Sequence, residues 1–153
     1  MPSTDFSSKN IIELFQVANN SITDWHNIRR QISSQQGGIK QIKTITQNLR
    51  SKSSDEDMVK YGIALWMQGK SFNASDELEK LKSISGPLKN QVFYFLALAL
   101  FQIGDVENSI KNLEAIENTE TDKWVKLSKV EILLESDEIE KARTIIELSL
   151  IHI

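Results

Sequence analysis

Residues 92–116, VFYFLALALFQIGDVENSIKNLEAI, form the most apolar stretch of this 153-residue chain and carry their own punctuation. An apolar run closes at Ile103-Gly104-Asp105, and a second, amphipathic run begins at once at Val106. Glycine readily takes the left-handed conformation that ends a helix, and Asp is a favoured cap for the next one. The stretch therefore predicts a helix, a tight turn and a helix. The apolar run Val92–Phe101 is too short to cross a bilayer, which takes about 20 residues, and suits a buried core helix.

The pattern recurs on both sides. Upstream, helical spacing covers Met58–Gln68 and Phe72–Ile84 around the turn Gly69-Lys70-Ser71, and Ser85-Gly86-Pro87 breaks the chain before Leu88–Ile103. Downstream, the polar loop 118–122 separates Val106–Ile116 from a third pair, Trp124–Glu135 and Ile139 to Glu147, joined at Ser136-Asp137. The second helices start at Phe72, Val106 and Ile139, spaced 34 and 33 residues apart. A helix-turn-helix period of about 34 residues is the signature of a tetratricopeptide-type repeat. Paired antiparallel helices need small residues where they cross. Gly62 and Ala97, each seven residues before its turn glycine (Gly69, Gly104), fit that need on the first helices, and Ser75, Ser109 and Ala142 fit it on the second. The fold expectation is all-α, helical hairpins stacked into an α-solenoid, with three hairpins over residues 55–147. Such units bury a continuous core between neighbours and present first-helix side chains on a concave, partner-binding surface.

The region before the array is less regular. The polar residues 1–10 predict a disordered N-terminus. Residues 11–54 read as divergent helices: apolar spacing from Ile11 to Ala18, a short helix carrying Trp25, Ile28 and Ile32 capped by Thr23 or Asp24, a loop at Ser33–Gly38, and a stripe of Ile39, Ile42, Ile45 and Leu49.

Composition narrows the chemistry. Apolar residues are 40% and charged residues 25%, ordinary for a globular chain. The absence of cysteine removes disulfides and thiolate metal sites and tilts the expectation toward an intracellular home. The net charge of −3 hides an imbalance: residues 1–54 hold seven Lys/Arg against three acids, and the remainder eleven against eighteen. Ordinary solvated faces account for this; a basic strip meeting an acidic partner or membrane surface is the alternative.

Catalytic constellations are not evident. Gly69-Lys70-Ser71 resembles the tail of a phosphate-binding loop, but Ala64 stands where that loop needs glycine, and a helix precedes it in place of a strand. His26 and His152 are the only imidazoles, and His26 reads as a surface residue. No acid pair or nucleophile–base pair stands out. The expectation is a non-enzyme with no catalytic, cofactor or metal site and no nucleic-acid partner. Trp25, Trp66 and Trp124 are candidate anchors, with core packing favoured for the last two. The aromatics Phe93, Tyr94, Phe95 and Phe101 read as core on one side of their helix, with Tyr94 the member reaching toward a groove. Tyr94 and Trp124 are thus the candidate partner-groove residues. Asn19 and Asn73 sit in glycosylation-type tripeptides that read as coincidence without a secretory signal. The last six residues, LSLIHI, read as the translation of a sequencing adapter, so the natural chain is expected to continue past Glu147.

Residues 88–116, LKNQVFYFLALALFQIGDVENSIKNLEAI, with VEILLESDEIEKARTIIE at 130–147, resemble the epsilon subunit of coatomer, a vesicle coat complex. The shared features are the Gly104-Asp105 turn before a Ser109-centred helix, the run Ile132-Leu133-Leu134 and the pair Ala142-Arg143; Glu13-Leu14-Phe15 with Asn19 is similar to that family's first helix. The likeness covers residues 55–147 and is poor over 11–54. It implies a non-enzymatic superhelical scaffold that binds and stabilises the C-terminal region of the alpha coat subunit. It also implies a cytoplasmic protein, peripheral on Golgi and coated-vesicle membranes through the coat, acting in Golgi-to-endoplasmic-reticulum and intra-Golgi transport. The alternatives are a mitochondrial fission adaptor of the Fis type, which Tyr61 and Val92-Phe93-Tyr94 would suit, and a generic tetratricopeptide interaction module.

Overall fold

The computed structural model describes residues 10–17, 19–116, 123–136 and 139–151, the last segment without the side chains of 139, 140, 142 and 149–151. Among the described residues every regular element is an α-helix: α1 (Ile11–Gln16), α2 (Ile22–Ser34), α3 (Gly38–Leu49), α4 (Asp55–Met67), α5 (Ser71–Glu79), α6 (Leu88–Gln102), α7 (Val106–Glu114), α8 (Lys123–Glu135) and α9 (Ile139–Ile151). The chain is all-α. No helix among the described residues is long and apolar enough to cross a membrane.

Local chemistry explains the helix ends. Ser21 and Asp24 form a reciprocal capping box at α2, so the cap lies two residues before Thr23. Ser54 caps α4 through the Asp57 N–H, and Asp55, Glu56 and Asp57 fill the first turn, where acids complement the helix dipole. Asp105 caps α7 by accepting from the Asn108 N–H at 3.2 Å.

Two turns are built alike. Gly69 has φ +76° and Gly104 has φ +90°, values that favour glycine. The Lys70 N–H donates to Leu65 O at 3.0 Å and the Gly69 N–H to Trp66 O at 3.0 Å; the Asp105 N–H donates to Leu100 O at 2.9 Å and the Gly104 N–H to Phe101 O at 3.1 Å. This is the Schellman pattern at both places. Residue 137, in the third expected turn, lies outside the described residues.

Each of α4, α6 and α8 packs on the helix that follows it, α5 and α7 also pack on the next first helix, and α4–α6 and α6–α8 contacts join the first helices. The small residues sit at these contacts. A Cβ on Gly62 would stand 2.5 Å from Leu78 Cδ2, so α4 and α5 approach as closely as they do only because position 62 has no side chain. Ser109, fully buried, donates from Oγ to Ala97 O at 2.7 Å and joins α7 to α6. Ser75 is buried but turns its hydroxyl back to Phe72 O at 2.8 Å, while neighbouring Ala74, like Leu78, is fully buried. The side chain of Ala142 lies outside those described.

Several expectations differ. The helix expected over Phe72–Ile84 ends, as α5, at Glu79. Helix α6 is buried all round, since Val92 to Ala97 are all core, and not on one side only. It lies between α4, α5, α7 and α8, and its later part, at Leu98 and Phe101, turns toward open space. Helix α2 runs through Ser34 and α3 starts at Gly38, so the loop between them is shorter than the expected Ser33–Gly38. Within the region read as divergent helices, Ile11, Leu14, Trp25, Ile28, Ile32 and Ile42 belong to the same core as α4–α8. The expected disorder of the N-terminus falls on residues outside those described, save Asn10, which caps α1.

Candidate functional site: a groove between α2 and α8

Helix α2 holds the key to the site, because it reaches across the first helices of the later hairpins. Trp25 is buried and donates from Nε1 to Gln91 Oε1 at 3.1 Å, and Gln91 in turn donates to Asn20 O at 2.6 Å. These bonds fasten both the start of α2 and its turn onto α6. One position on, His26 faces three helices at once. Its ring meets Trp66 of α4 edge-on at 5.8 Å, its Nε2 lies 2.8 Å from the Tyr94 hydroxyl of α6, and it stacks on Trp124 of α8 at 3.9 Å and 13°. The Tyr94 hydroxyl continues the chain to Ser128 Oγ at 2.9 Å.

Between α2 and α8 this leaves an open groove of about 970 Å³. Trp66, Leu98 and Phe101 of α4 and α6 contribute to its floor, and Leu127 and Leu134 of α8 stand on one wall. Leu127 is 53% exposed and Leu134 49%, and the two stand on the same groove. The other wall carries Arg29 and Arg30, both exposed. The Arg29 guanidinium lies over the Trp66 ring, 4.5 Å from its centre, a cation–π contact. Glu131 faces the groove from α8. Among the described residues neither arginine nor Glu131 has an ion-pair partner; the ion pairs there lie in or at the end of α5, in α7 and, with a buried Lys60, in α4.

Electrostatics keep the imidazole neutral. Burial is the largest cause, followed by repulsion from Arg29 and Arg30, and together they push His26 down to about 4. His26 therefore works as a flat aromatic wedge with one hydrogen bond, and has little of the basicity of a proton-transfer group near neutral pH. A second recess of about 230 Å³ lies between α7, α8 and α9. Its half-buried Lys129 is held below the usual lysine range by burial, opposed by the charge of Glu114.

The candidate residues separate clearly. Tyr94 is among the residues that line the groove, fully buried, with its hydroxyl engaged by His26 and Ser128. Trp124 is partly buried on α8 and lines the groove, as the wall that His26 stacks against. Gly62, Ser75, Ala97, Gly104 and Ser109 are positions of packing and turning, and none of them lines this groove. His26, read as a surface residue, is a half-buried junction. Arg29, Arg30, Leu127 and Leu134 carry no sequence signal of their own. The adjacent arginines after Trp25-His26 and the leucines seven apart on α8 were the only hints available. Among the described residues no group of three or more His, Cys, Asp or Glu could hold a metal ion. No family model, no curated protein and no solved structure matches the chain.

Proposed function

We propose that this chain is a non-enzymatic scaffold of tetratricopeptide-type hairpins whose groove holds a segment of a partner protein, and that it serves as a structural subunit of a vesicle coat of the coatomer epsilon kind. On this reading residues 55–147 form three hairpins stacked as an α-solenoid, and the partner is the C-terminal region of the alpha coat subunit. The protein would then be cytoplasmic and peripheral on Golgi and coated-vesicle membranes.

The observation that carries the binding role is the groove itself. An apolar floor, exposed Leu127 and Leu134, and unpaired charges on facing walls are what a protein-docking surface requires. The matching turns at Gly69 and Gly104, and the contacts among α4, α6 and α8, support the repeat architecture. The coat assignment rests on the resemblance of residues 88–116 and 130–147.

Affinity purification tests it. A tagged chain should recover the alpha coat subunit from cell extract, and Leu127→Asp should lose it while remaining folded. A soluble, folded bait that recovers no coat subunit would overturn the coat assignment. Retention of the partner by Leu127→Asp and Leu134→Asp would overturn the groove as the binding surface.

A further inference from the structure

We infer that the occupant of this groove is a single amphipathic α-helix of a partner protein, acidic along the edge that meets α2 and basic along the edge that meets α8. This rests on the docking role proposed above and adds the chemistry of the ligand.

Backbone satisfaction selects the helix. The groove is walled and floored by helices, whose N–H and C=O groups are already paired within each helix. Neither wall offers a sheet edge, so an extended segment would lay its own backbone against apolar side chains without partners. A helix satisfies its backbone internally and needs only a side-chain stripe. The wall supplies the complement: Leu127, Glu131 and Leu134 of α8 follow the i, i+4, i+7 spacing of one helix face. At 1.5 Å per residue that stripe is about 10 Å long, two turns, and seats three anchors of a facing helix.

Charge selects the orientation. Arg29 and Arg30 stand exposed on α2, and Glu131 stands exposed on α8. Among the described residues all three lack ion-pair partners, although Arg29 stacks on Trp66. Opposite signs on opposite walls favour a helix with acids on one edge and a base on the other, and disfavour its mirror arrangement.

The test uses the whole 153-residue chain and a designed alanine-rich peptide of about 18 residues, long enough for partial helicity. Its leucines fall at i, i+4 and i+7, with glutamates along one edge and lysines along the other. Calorimetry should show saturable binding, weaker by about tenfold or more for Leu127→Asp or Leu134→Asp. Arg30→Glu should weaken it by about tenfold, because an attraction becomes a repulsion, and a peptide with lysine in place of the glutamates should bind this variant better than it binds the wild type. Circular dichroism confirms that each variant is folded.

Absence of peptide binding, or binding indifferent to Arg30→Glu, overturns the proposal. So does a wild-type dimer that Leu127→Asp converts to monomer, because a second copy would then be the occupant. The two readings fail separately. If Leu127→Asp abolishes recovery of the coat partner but peptide charge is immaterial, the docking role stands and the helix chemistry falls. If the peptide binds with the expected charge dependence but no coat subunit is recovered, the helix chemistry stands and the coat assignment falls.

Discussion

Replacing Gly62 with alanine should destabilise the protein, against the usual trend for a helical glycine. In an exposed helix interior Gly→Ala gains about 1 kcal/mol of helix propensity. Here the new methyl would stand 2.5 Å from Leu78 Cδ2 and 2.7 Å from Leu78 Cγ, and Leu78 is fully buried with little room to turn. Overpacking of that kind costs about 1–3 kcal/mol. The balance is a net loss of about 1 kcal/mol, or roughly 2–4 °C in Tm for a chain of this size. Urea unfolding followed by helical circular dichroism measures it. The decisive arm is a double-mutant cycle with Leu78→Ala, which alone should lose about 2–5 kcal/mol. In that background the clash is gone, so Gly62→Ala should become stabilising by about 1 kcal/mol, a coupling of about 2 kcal/mol. A stabilising Gly62→Ala in the wild type, or the same effect in both backgrounds, would refute the close approach of α4 and α5 as the reason for this glycine.

Three further outcomes follow from the packing. Tyr94→Phe should lose about 1–2 kcal/mol, since the buried Ser128 hydroxyl and His26 Nε2 both lose their Tyr94 partner; a loss below ~0.5 kcal/mol in denaturant unfolding would show that the relay is not stabilising. The unfolded His26 takes up protons near 6.5 but the folded one only near 4, so between those values the unfolded chain holds more protons and Tm should fall as pH drops through that window. His26→Gln should flatten the slope in the upper part of the window, above the range where carboxylates dominate, and an unchanged slope would remove His26 as its source. Gly104→Ala should lose about 1–2 kcal/mol from backbone strain alone, because φ is +90° and a Cβ there meets nothing within 4 Å; an unaffected Tm would count against the left-handed turn.

Legibility followed the range of the interactions. Gly104-Asp105-Val106 could be read as a turn because its conformation, cap and flanking periodicity lie within a few residues. The same holds for Gly69, and for Ser54 with its run of acids. His26 could not be read in this way. It is a polar residue on a short helix until Tyr94, 68 positions later, and Trp124 come to meet it. Arg29 and Arg30 likewise look like any solvated pair until the fold sets them across a groove from Glu131.

The sequence by itself determined the helical class, the two Gly-centred turns, the Asp105 cap and the crossing role of Gly62 and of Ser109 with Ala97, because each depends on nearest-neighbour sterics and backbone hydrogen bonding. Only the tertiary structure decided that α6 is buried all round from Val92 to Ala97, that the Tyr94 hydroxyl is tied to His26 and Ser128, and that α2 crosses to α8 and makes one of the groove's walls. Those outcomes depend on which apolar faces find one another across long loops. Several pairings satisfy the same hydrophobic pattern, and the close packing of Trp25, His26, Trp66 and Trp124 selects among them.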